Sequence, residues 1–193
     1  GTASLRRKSQ ILNYRPDLNI VPIRGNVETR LNKIRTGFTD ATLLAYAGLV
    51  RLGKENVVTQ IIDTSLMLPA VGQGALAATC RKEDIQASTL LKVLTEPTTE
   101  AAILAERTML AVLDGSCHTP IGGLAQHDGQ GHLELRGLVV LPDGGKKAEV
   151  SLTAPITEAI ELGKTVGEKL LVKAGRDILN VIKDTKPIFV QPH

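Results

Sequence analysis

Apolar residues recur along this chain in two periods, and the period changes once. Over residues 4–14, Leu5, Ile11 and Leu12 share one helical face, and Arg15-Pro16-Asp17 ends the run. Leu18 to Ile23 reads as a strand, followed at once by Arg24-Gly25-Asn26. Val27, Leu31 and Ile34 then mark a helix from Val27 to Arg35, with Gly37 placed to cap it. Thr42 to Ala45 reads as a buried strand and Ala47 to Leu52 as a short helix stopped at Gly53. Val57 to Ile62 fits either period. Pro69 to Gly74 is a loop of chain breakers, Ala75 to Cys80 a short strand, and Ile85 to Leu94 a helix. Thr95-Glu96-Pro97 reads as a linker. From Thr99 to Leu113 the positions Ala102, Leu104, Ala105, Met109 and Val112 predict a strong helix ending at Asp114-Gly115.

Beyond that point the period shortens. Ile121–Gln126, Leu133–Leu141 and Ala148–Thr153 read as strands, separated by turns at Asp128-Gly129 and Pro142-Asp143-Gly144. A helix from Thr157 to Lys173 ends near Gly175, another continues to about Lys183, and Thr185 to His193 forms a tail. The fold class expected is α/β. A domain boundary falls near the 95–97 linker: an α/β layer with a parallel or mixed sheet precedes it, and 96–193 form a small α+β domain with a three-stranded antiparallel sheet. In such α/β layers ligands sit at strand C-termini, where helix N-termini point.

Composition narrows the function. Apolar residues make up 42% of the 193, enough for a packed core, but aromatics are 2% and Trp is absent. A chain so poor in aromatics lacks stacking platforms for nucleic-acid bases. The net charge of +3 is too small to imply a polyanion partner by itself. No run of about 18 apolar residues is present, so no membrane span is expected.

The arginines matter by position. Arg6 and Arg7 fall in the first turn of the first helix, where a cation opposes the helix dipole. Arg24 ends a strand, Arg30 lies in the following helix and Arg51 in the next unit. Helix N-termini with arginine forks at one sheet edge make a pocket for a small polyanion; solvated surface arginines are the alternative reading. Cys117 lies in Asp114-Gly115-Ser116-Cys117-His118-Thr119-Pro120, a loop leaving a helix. It reads either as a reactive nucleophile or as an ordinary thiol, and Cys80 as a structural one. Adjacent Cys117 and His118 lack metal-ligand spacing, so no metal is expected. Gly72-Gln73-Gly74 lacks the Lys-Ser/Thr of a phosphate loop, and a hinge fits it better.

GTASLRR (1–7), RGNVETRL (24–31), AGLVRLG (47–53), LPAVGQGA (68–75), AER (105–107) and DGSCHTPIGG (114–123) together resemble, in order and in register, the hydroxymethylbilane synthase (porphobilinogen deaminase) family. Ala3 departs from a more usual Ser. The resemblance implies a transferase that joins four porphobilinogen molecules head to tail into a linear tetrapyrrole and releases ammonia. It also implies a cytoplasmic monomer, with no nucleic-acid or membrane partner. The expected fold is a periplasmic-binding-protein-like α/β domain, with the remnant of a second, ahead of the α+β domain. A dipyrromethane cofactor is expected on Cys117 through a thioether, with Thr2, Ser4, Arg6, Arg7 and Arg24 as cofactor contacts and Arg30, Arg51 and Gln73 facing substrate. Each pyrrole carries an acetate and a propionate, which suits the arginines. The family's first domain and its catalytic aspartate match nothing here, so the chain is expected to be a fragment inactive alone; Asp40 and Glu106 do not fit that role. A binding module holding an anion without chemistry would account for the arginines but not for Cys117, and a scaffold for neither.

Overall fold

A computed structural model describes residues 1–115 and 119–184. The helices are α1 (Leu5–Tyr14), α2 (Val27–Arg35), α3 (Tyr46–Arg51), α4 (Ile85–Lys92), α5 (Pro97–Val112) and α6 (Ala159–Asp184), and the strands are β1 (Ile121–His127), β2 (His132–Val140) and β3 (Lys147–Pro155). Local chemistry explains their limits. Ser4, Asn26 and Asp84 cap α1, α2 and α4 by accepting hydrogen bonds from Arg7, Thr29 and Ala87 backbone N–H groups. The Thr95-Glu96-Pro97 linker proves to be the start of α5. Pro97 opens the helix, and the Glu96 carboxylate accepts from the Thr98 and Thr99 N–H groups. The α5 C-terminus closes with Asp114 at φ 50 and bonds from Asp114 N to Ala111 O (3.0 Å) and Gly115 N to Leu110 O (3.1 Å). Helix α6 is interrupted at Gly175 (φ 72, ψ 174), where the sequence pattern ends one helix and begins another.

The three strands form one antiparallel sheet in the order β1-β2-β3, with Gly123 opposite Gly137 and Leu135 opposite Leu152. Alternation sends Leu133, Leu135 and Val139 of β2 to one face, against Met109 of α5 and Val166, Leu170 and Ile178 of α6. Each of these side chains is within a few per cent of complete burial, and such burial stabilises by roughly 1.5–3 kcal/mol per side chain. The opposite face is also covered at one end. Leu138 and Val140 pack on Leu68, which belongs to the N-terminal half.

The N-terminal half departs from the expectation. The segments predicted as strands, Leu18–Ile23, Thr42–Ala45 and Ala75–Cys80, carry no ladder, and no parallel sheet occurs among the described residues. Apolar run length marks a segment as extended, but a strand also needs a hydrogen-bonded neighbour. Here Thr2 N–H reaches Val21 O (3.0 Å) and the Gly1 amine reaches Ala41 O (2.8 Å). Gly1 and Thr2 therefore lie between the first two extended segments, with too few bonds to make a ladder. The ambiguous 57–62 stretch is one 3-10 turn, Glu55–Val57, followed by irregular chain.

Candidate functional site

The helix-start arginines come together, but not all in one way. The α1 N-terminus is built by its own side chains: Thr2 Oγ1 accepts from Ser4 N (3.2 Å) and Ser4 Oγ from Arg7 N (3.4 Å). Arg7 Nη1 donates to Leu43 O (2.8 Å), tying α1 to the extended 42–45 segment. In the next unit, Gly25 adopts φ 116, and an added Cβ would stand 2.6 Å from Thr29 Cγ2, so this tight entry to α2 requires glycine. Arg30 Nε donates to the carbonyl of that same Gly25 (2.9 Å), while Arg24 beside it is exposed. Burial lowers the Arg7 pKa, and the charge of Arg30 lowers it further, which places the two cations within each other's field.

Arg6 is buried. Its Nη1 donates to Leu68 O (2.6 Å) and its Nη2 to Gln73 Oε1 (3.2 Å). Burial first, and the neighbouring Arg7 charge second, lower its pKa to about 10, so it stays cationic at neutral pH. Arg51 is exposed on α3, and among the described residues its side chain forms no hydrogen bond or ion pair. Among the described residues no carboxylate lies within 4.0 Å of Arg6, Arg7, Arg24, Arg30 or Arg51, whereas Arg15, Arg35 and Arg136 each pair with one. Like charges held together without counter-charges favour an anion between them.

Two contributors escaped the sequence reading. Gln10, one helical turn after Arg6, is buried; its Oε1 accepts from Leu68 N (2.8 Å) and its Nε2 donates to Leu68 O (3.0 Å). The spacing of four residues put it on the Arg6 face, which was the available signal. Glu106 is 5% exposed; it accepts from Gly72 N (2.6 Å) and Ala125 N (2.8 Å). Its signal was a lone carboxylate on the apolar stripe of α5, beside Ala105 and Met109. Pro69 O accepts from Gly123 N (3.1 Å), so the 68–73 loop is bonded to α1 on one side and to α5 and β1 on the other. Cys117 lies outside the described residues. Its flanks are firmly set, by the α5 cap at Asp114-Gly115 and by Val140 N donating to Pro120 O (3.2 Å).

Comparison with known proteins gives this arrangement its context. Residues 1–89 match the family model described as the dipyromethane cofactor binding domain of porphobilinogen deaminase, and residues 101–172 match its C-terminal domain. The chain is 47% identical over 175 residues to the porphobilinogen deaminases of Nitrobacter winogradskyi and Nitrobacter hamburgensis, covering 91% of this chain and 55% of each relative. It is 43% identical over 185 residues to that of Staphylococcus aureus strain Newman, covering 95% of this chain and 59% of the relative. The chain thus spans little more than half the length of these curated relatives. With both domain models matched in order, and with the helix-start arginines and the set flanks of Cys117 in place, the chain belongs to the porphobilinogen deaminase family.

Proposed function

We propose that this chain supplies the cofactor anchor and part of the carboxylate clamp of a hydroxymethylbilane synthase, which joins four porphobilinogen molecules into a linear tetrapyrrole with release of ammonia. The observation that carries the reading is the group of arginines at the starts of α1 and α2 that no described carboxylate neutralises. Every pyrrole unit brings two carboxylates, and a guanidinium binds a carboxylate through two parallel hydrogen bonds.

The residues present fit the dipyrromethane named by the family. Arg7, Arg24 and Arg30 offer donors to its carboxylates, and Arg6 keeps donors beyond the two it uses on Leu68 and Gln73. Thr2 and Ser4 shape the α1 start beside them. We assign the covalent link to the Cys117 thiol, a nucleophile that Cys80 does not replace. When bound, the group supplies the pyrrole end on which a chain can grow. Arg30, Arg51 and Gln73 are assigned to the incoming substrate. The acid–base aspartate matches no residue here, and we place it on the part of the family's length that this chain does not span. The reading also takes 1–70 as a periplasmic-binding-like domain, 71–94 as a crossover into a neighbouring domain, and 96–193 as the anchoring domain. The complete protein is proposed to be a cytoplasmic monomer.

The test is Arg24→Leu in an enzyme that joins this chain to the family's remaining length. Arg24 is exposed and, among the described residues, its side chain makes no hydrogen bond or ion pair, so the fold should be unchanged while tetrapyrrole formation falls by roughly 100-fold or more, the scale of losing a charged contact. Unchanged turnover would remove Arg24 from the clamp.

A further inference from the structure

The loop from Leu68 to Gln73 is held from both sides, by Arg6 of the clamp and by two side chains, Gln10 and Glu106, that the clamp reading does not use. From α1, Gln10 brackets the Leu68 main chain with an acceptor and a donor, and Arg6 adds a bond to the same carbonyl. From the C-terminal domain, Glu106 joins Gly72 to Ala125 of β1 through its two carboxylate oxygens. The residue after Gly72 is Gln73, whose Oε1 meets Arg6 (3.2 Å) and the Ala70 N–H (3.1 Å).

Glu106 is an uneconomical choice for stability alone. No described cation lies within 4.0 Å of it, and a buried carboxylate without a counter-charge is costly to desolvate. What only a carboxylate provides here is acceptance from two backbone N–H groups on different elements at once; a Gln side chain turns a donor toward one of them. We propose that Glu106 is a positioning residue: it seats Gly72 against β1 so that Gln73, assigned above to substrate, keeps its place beside Arg6. The proposal rests on the clamp reading above. It adds that the C-terminal domain sets the place of a substrate-facing glutamine next to α1.

The test uses the same completed enzyme with Glu106→Gln, Glu106→Asp, Gln73→Ala and the double variant Glu106→Gln/Gln73→Ala. The core substitution Val166→Ala serves as a destabilised control away from the loop. KM and kcat for porphobilinogen are measured where circular dichroism shows each variant folded. Glu106→Gln should raise KM by roughly 10- to 100-fold, the range for a misplaced binding group. Gln73→Ala should do the same, and the double variant should be no worse than either single one. Val166→Ala should leave KM unchanged. Glu106→Asp, one methylene short of reaching both N–H groups, should shift KM in the same direction and carries the test if the Gln variant does not fold. Multiplicative effects, an unchanged KM in Glu106→Gln, or failure of both Glu106 variants to fold would each overturn the positioning role. If wild type itself does not turn over porphobilinogen, the functional reading fails instead. Hydrogen exchange gives a readout apart from activity: the Gly72 and Ala125 amides should lose protection in Glu106→Gln, and retained protection would contradict the bracket.

Discussion

Helices α5 and α6 cross where Gly163 meets α5, and replacing that glycine separates two opposed expectations. Helix propensity alone says that Gly163→Ala stabilises, by roughly 1 kcal/mol for a helix interior. The structure says the reverse. A Cβ at Gly163 would stand 2.3 Å from the Ala105 carbonyl oxygen and 2.8 Å from Thr108 Cβ. The first contact is backbone, so no rotamer change relieves it, and the helices must part. Overpacking of this kind costs about 1–3 kcal/mol, and a main-chain contact places it at the upper end. Net of the propensity gain, a loss of about 2 kcal/mol is expected. With a urea m-value of about 2 kcal/mol/M, the unfolding midpoint falls by about 1 M. Gly48→Ala is the control: Gly48 lies within α3 with nothing within 4 Å of its added Cβ. It should raise the midpoint by about 0.5 M. The α5 seat matters because α5 ends at Val112, a few residues before Cys117 in sequence. A Gly163→Ala protein as stable as wild type would refute the packing described here.

Two further substitutions test the joints of the molecule. Gly144 has φ 79 at the β2–β3 turn, its carbonyl accepts from Asn13 Nδ2 (2.7 Å), and an added Cβ would lie 2.4 Å from Asn13 N. Gly144→Ala should therefore cost about 2–4 kcal/mol and lower Tm by several degrees, whereas an unchanged Tm would show that this turn does not dock on α1. Burial holds the Glu106 carboxyl above its ordinary 4.5, against the N–H bonds from Gly72 and Ala125. A raised folded pKa favours folding fully below the unfolded value, and that advantage is lost as pH rises through the folded value. Relative to Glu106→Gln, which does not titrate, wild type should lose stability as pH climbs above about 4.5 and then level off. Urea midpoints measured across that range check this, and a wild-type advantage that grows with pH would contradict it.

The C-terminal domain was legible because its signals are local. Alternation set the faces of β1 to β3, Asp128-Gly129 and Asp143-Gly144 set the turns, and Gly175 marked the break in α6. The N-terminal segments read as strands form no ladder among the described residues, since a ladder depends on a neighbour that no apolar run encodes. The arginines of α1 and α2 were read either as a pocket at one edge or as solvated surface groups, and Arg7 and Arg30 stand within each other's field. Arg6 was read as a cofactor contact, and its burial against Leu68 was not legible, because nothing in α1 reveals what covers it. Glu106 and Gln10 went unassigned because their partners are backbone atoms, which carry no residue identity.

The account turns on Cys117 as the cofactor anchor, and intact mass tests that most directly. In freshly prepared enzyme joining this chain to the family's remaining length, wild type should carry an addition of dipyrromethane size. The addition should be absent from Cys117→Ser and present in Cys80→Ser. A wild-type chain without the addition, or an addition that survives Cys117→Ser, would contradict the assignment.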